Sequence, residues 1–159
     1  MKAGIIAVCC CLLMLSCSDG GSSFAVLSDD STSASFVLDM SDSSKIYYID
    51  IVSRFDKGHS PEHVTFSIGL VSPSGRSAAE SITLPCGYRS VKSHLDSHPE
   101  DNRIRLAGSP GYYDIAWRYR DNISPSEKGL WKLSLTVPDT TEGLIGIGID
   151  IHTIPVAGR

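Results

Sequence analysis

His59-Ser60-Pro61-Glu62-His63 places two imidazoles four residues apart with a carboxylate beside the second, the H-x-x-E-H pattern with which inverted zinc metallopeptidases hold a metal and activate its water. That chemistry needs a helix, so that both histidines leave one face toward one zinc. Pro61 interrupts the segment, which is a short connection between a strand ending near Phe55 and another starting near His63. It therefore reads as a loop. His94 and His98 repeat the spacing among Asp96, Glu100 and Asp101, and they are weak metal candidates because a site there requires a second loop to converge on them. No G-x-S-x-G elbow marks a nucleophilic serine. Gly146-Ile147-Gly148 sits inside a strand, not ahead of a helix that could cradle phosphate. Asp29-Asp30 and the pair Asp39 and Asp42 are turn material before they are calcium ligands. These patterns predict no catalytic centre, no metal and no cofactor, so the expectation is not an enzyme.

The elements that would carry any site are set by charge, cysteines and apolar periodicity. The 159 residues bear 14 Lys and Arg against 18 Asp and Glu, for a net charge of −4. Such a balance disfavours nucleic acid, which needs a basic face. Behind Met1-Lys2 runs a 13-residue apolar stretch, Ala3 through Leu15, ending at Ser16-Cys17; it is the short hydrophobic core of a secretory leader, too short to span a bilayer comfortably. The bulky Met14 and Leu15 are poor for general signal peptidase, and the pattern resembles a bacterial lipobox. That resemblance implies a diacylglycerol on the Cys17 thiol, cleavage before it, and acylation of the new amino terminus. Residues 1–16 are thus expected to be a lipoprotein signal peptide, 17–23 a flexible Gly/Ser tether and 24–159 a single domain. Cys9, Cys10 and Cys11 leave with the leader, Cys17 is consumed by lipid, and Cys86 remains as a structural thiol.

From Phe24 onward apolar residues recur with period two, the signature of half-buried antiparallel strands. Trp131, Leu133, Leu135 and Val137 share one face; so do Val64, Phe66, Ile68 and Leu70, and again Tyr113, Ile115, Trp117 and Tyr119. Further strands are expected at 35–38, 46–53 and 77–84. The stretch Leu144 through Ile151 alternates isoleucine with Gly146 and Gly148, so a Trp or Tyr is expected to cover the bare face. Ser72-Pro73-Ser74-Gly75 suits a tight turn, and Pro138-Asp139 with Gly143 suits a hairpin from Val137 to Leu144. The polar span 87–111 reads as a long loop with at most one helical turn or a short strand at 104–106. These elements predict an all-β protein, an antiparallel β-sandwich of jelly-roll or immunoglobulin-like type, with no internal repeat and no second domain.

The lipobox, the strand pair ending in 46–54, the segment Ser67-Ile68-Gly69-Leu70-Val71-Ser72-Pro73-Ser74-Gly75, and Lys128-Gly129-Leu130-Trp131 followed by Gly143-Leu144-Ile145-Gly146-Ile147-Gly148-Ile149 are similar to the gliding-motility lipoprotein GldH family. The resemblance covers most of the mature domain and departs from the family pattern at 87–111. It implies a non-enzymatic envelope lipoprotein associated with motility or secretion machinery in some bacteria and brings no catalytic residues; the lipid anchor is expected in the outer membrane. A protein partner held by an edge strand or a loop-lined end is the leading expectation. Arg118 and Arg120 can also meet an acidic partner. The alternative is a carbohydrate-binding surface lipoprotein, for which Tyr112, Tyr113, Trp117 and Tyr119 are the candidate aromatics. That alternative gains if Tyr112 and a second aromatic lie exposed and coplanar, and loses if the aromatics are interior.

Overall fold

Among the described residues the period-two runs are strands, and with two more there are nine: β1 (Gly20–Val26), β2 (Ser33–Asp39), β3 (Lys45–Asp56), β4 (His63–Val71), β5 (Ser77–Pro85), β6 (Ile104–Gly108), β7 (Tyr112–Ile123), β8 (Leu130–Thr136) and β9 (Leu144–Pro155). The computed structural model describes residues 20–28, 31–138 and 141–156. The leader, Cys17, Asp29-Asp30 and Asp139 lie outside them. Among the described residues no helix is long and apolar enough to cross a membrane.

The strands form two antiparallel sheets, ordered β1-β9-β3-β7-β6 and β2-β8-β4-β5. Four pairs are nested in sequence, β1 with β9, β2 with β8, β3 with β7 and β4 with β5, as in a long antiparallel ribbon wound on itself, the jelly-roll arrangement of a β-sandwich. Alternation decides the core: Phe36 and Leu38, Ile49 and Ile51, Phe66 and Ile68, Leu133 and Leu135, and Ile147 and Ile149 all point inward and are buried. Across the two sheets Phe66 meets Trp117 edge to face, with centroids 6.2 Å apart.

Expectations for three parts of the chain need correction. Residues 20–23 are not tether but the first half of β1, with Ser22 opposite Asp150 and Phe24 opposite Gly148. Gly and Ser carry little strand signal of their own, and the pairing depends on β9. The cover over the β9 glycines is accordingly a phenylalanine rather than Trp or Tyr: a Cβ at Gly146 would lie 2.6 Å from the Phe24 ring and one at Gly148 would lie 2.8 Å from it. Second, 87–111 is not mainly a loop: the short strand expected at 104–106 is present as β6, but Tyr88–Ser97 form the ten-residue helix α1, and Tyr88, Val91 and Leu95 make the stripe that it turns to the core. Third, Val137 and Leu144 do not close a hairpin, because β8 and β9 belong to different sheets. Gly143 still matters there: its φ is +74° and a side chain would strike the His59 backbone. The Ser72 turn has the expected form, with the Gly75 N–H donating to the Ser72 carbonyl at 2.9 Å and Gly75 at φ +86°.

The close seating of β1 on β9 predicts an asymmetry between glycines. Gly148→Val, which drives a side chain into β1, lowers unfolding free energy by about 1–3 kcal/mol in urea titration. Gly21→Val, with open space around it, shifts it by less than about 0.5 kcal/mol.

Candidate functional site

One lateral edge of the sandwich lies between β5 of one sheet and β6–β7 of the other, and its two halves are built differently. In the half that holds α1, side chains of β7 reach across to the backbone that leaves β5. The Trp117 Nε1–H donates to the Pro85 carbonyl at 2.9 Å, and the Tyr113 hydroxyl to the Cys86 carbonyl at 2.7 Å. Tyr88 of α1 packs on the Tyr113 ring at 5.1 Å. Cys86, fully buried, donates from Sγ to the Pro61 carbonyl at 3.1 Å, and burial pushes its thiol pKa up to about 12. That thiol stays protonated and serves as core.

The other half gapes. The first five residues of β5, Ser77 through Ser81, are all exposed, and β6 pairs with β7 only as far as Trp117. Between them lies a cavity of about 530 Å³, with Leu70 and Ala78 on one wall, Ile49 and Ile123 on the other, and Met40 and Trp131 among its remaining lining. Ser124, Pro125 and Ser126 line it where the chain leaves β7. The apolar wall is crossed by one polar bridge. Glu80, opposite Ile68 on the inward face of β5, accepts hydrogen bonds through Oε1 from the Tyr119 hydroxyl and Arg120 Nη2. A register shift pairs Ile49 with Arg120 and Asp50 with Arg118, leaving Tyr119 as the extra residue of a β-bulge; bulges re-aim side chains in this way. Arg120, and next Tyr119, hold the Glu80 carboxyl below its ordinary value, while burial and then Glu80 raise the Tyr119 phenol.

The remaining candidates are dispersed. Tyr113 and Trp117 are interior, 0% and 2% exposed, and so offer no face to a sugar. Tyr119 carries Arg120 over its ring at 4.2 Å. Tyr112 is exposed, but Arg54 lies over its ring at 4.3 Å and also faces Phe24 at 5.4 Å. His94 and His98 stack at 4.7 Å, and His94 Nε2 lies 2.9 Å from the Asp101 carboxylate, whose pKa it lowers. His59 stays in the connection before β4, with Nδ1 3.6 Å from Asp56, and His63 opens β4 itself. Among the described residues no three His, Cys, Asp or Glu side chains gather as a metal group.

A second polar cluster escapes any reading of the sequence. Asp50, with its side chain only 2% exposed, lies on the outer face of the larger sheet under Arg118 Nε, Arg105 Nη1 at 2.8 Å and His152 Nε2 at 3.2 Å. Four strands of the winding order contribute, and Arg118 stacks on Tyr48 at 5.0 Å. Arg118 and Arg120 are thus both committed to carboxylates of this chain. The cluster is a structural pin, because each buried charge has its partners.

Two measurements test this division. Asp50→Ala removes the carboxylate shared by Arg118, Arg105 and His152, Arg105 keeping Asp150 at 3.4 Å, and costs about 1–3 kcal/mol in urea titration. Glu80 has a lowered folded pKa, so its bridge stabilises fully above its ordinary value of 4.5 and fades as pH falls through the folded value. Thermal melts between about pH 6 and pH 3 therefore fall less steeply in Glu80→Gln than in the wild type. No protein-family model, curated protein or solved structure matches this chain.

Proposed function

We propose that the protein is a lipid-anchored protein of the bacterial cell envelope, of the gliding-motility lipoprotein type, which catalyses no reaction and docks a protein partner of an envelope motility or secretion assembly. The observation that carries the docking is the free edge of β5. Nine residues pair with β4 on one side, and the exposed first half lies beside an apolar slot. A partner strand added there completes the backbone hydrogen bonds of the edge and places alternate side chains over the slot. The anchor follows from the lipobox at Cys17. The glycan alternative is weaker, because two of its four aromatics are core and arginines cover the other two.

Affinity capture of the lipidated protein from membranes tests this reading. Ala79 and Ser81 lie opposite Gly69 and Ser67, on the outer face of the sheet, so lysines there leave the core alone while charging the edge. The wild type is expected to retain a specific envelope protein, and Ala79→Lys with Ser81→Lys to lose it with the melting temperature nearly unchanged. Retention of glycan alone, or equal capture by the double variant, contradicts the reading.

A further inference from the structure

The chain enters the sandwich at the same end as the slot. Gly20 lies opposite His152 near the close of β9, Lys45 opens β3 beside Pro155, and Ile123 closes β7 beside Tyr47. The facing sheet contributes Met40 and Trp131 at that end, where the Met40 N–H donates to the Gly129 carbonyl. Met40, Ile123 and Trp131 all line the slot. Leu130 opens β8, Ile154 lies near the close of β9 and Val156 follows it, so three exposed apolar side chains belong to this end of the sandwich.

Only Ser18 and Asp19 separate Cys17 from Gly20, so Cys17 stays within about 11 Å of the start of β1. From β1 to β3 and β7 is two or three strand spacings, about 10–14 Å. An acyl chain attached at Cys17 is therefore long enough to span from the start of β1 to the slot. The occupant must also be apolar and slender enough to pass Ala78 without displacing β5. We propose that the slot receives one acyl chain of the lipid on Cys17, so that the domain sits down on its own anchor. This rests on the lipoprotein reading of Cys17. The chain lies along Ala78 and Ile123 toward Ile68, and the Glu80 bridge to Tyr119 and Arg120 limits its depth. An anchor with three acyl chains that yields one to the slot keeps two in the bilayer, enough for stable attachment.

The test uses the full chain in bacteria fed a palmitate analogue with a diazirine near its chain end. Membranes are irradiated, and the digested protein is mapped by mass spectrometry. The expected product links the Cys17 peptide to peptides that carry Ala78 or Ile123, and it is lost in Ala78→Phe, whose ring fills the slot. The wild-type map decides the matter even if that variant folds poorly. Links from the slot peptides to phospholipid instead of Cys17 overturn the proposal in favour of a bilayer lipid. Analogue present on Cys17 with no link to the slot overturns it as well, leaving the slot empty or filled by a peptide. An amino terminus without lipid mass defeats the lipoprotein reading and this proposal together, an outcome distinct from the other two.

Discussion

Two hydrogen bonds, from Trp117 to the Pro85 carbonyl and from Tyr113 to the Cys86 carbonyl, fix how the two sheets meet along their shared lateral edge. Both are made by large aromatic side chains that would leave a polar atom stranded in the core without these partners. They draw the end of β5 onto β7 and set α1 over the seam. Past Trp117 the link from β7 changes in kind: the bulge at Tyr119 intervenes, and Tyr119 and Arg120 reach the Glu80 carboxylate instead of the β5 backbone. The slot lies where this side-chain bridge replaces the backbone tie.

The rest of the sandwich is arranged so that this gap is tolerated. On the opposite edge β1 lies tightly on β9, because Gly146 and Gly148 admit the Phe24 ring and the β1 backbone. On the outer face of the same sheet Asp50 collects Arg105, Arg118 and His152 from three other strands. Frame and gap thus occupy different places, and the first half of β5 can meet a partner or a lipid without loosening the core. An acyl chain inside the slot and a strand along its rim are also mutually supportive, since filling the gap supplies the apolar contacts that the exposed half of β5 lacks.

Much of the frame was legible in the sequence. Strands such as Trp131 through Val137 announce themselves because one face is apolar throughout, and the Ser72 turn because Pro73 and Gly75 preset its backbone. β1 was hidden since Gly20 through Ser23 gain their structure from β9 alone. The helix was masked by its composition: Tyr88, Val91 and Leu95 have helical spacing, but seven polar neighbours and Pro99 spoke louder. The aromatics of β7 were visible as a face, while their direction could be known only once the opposing sheet was in place. Neither the Asp50 cluster nor the slot had a local signature. Both arise from register, and the one available hint was an inward Glu80 flanked by Ala78 and Ile82 on a face otherwise apolar.

The reading of the protein as a docking module turns on a lateral edge that is fastened to the β5 backbone along one half and bridged only through Glu80 along the other. Hydrogen exchange followed by mass spectrometry measures that difference directly. Peptides spanning Ser77 through Ser81 and Tyr119 through Ser126 are predicted to exchange well ahead of those spanning Thr83 through Cys86 and Tyr113 through Trp117. Equal protection across the two halves would mean that the edge is closed along its whole length, and would contradict the account.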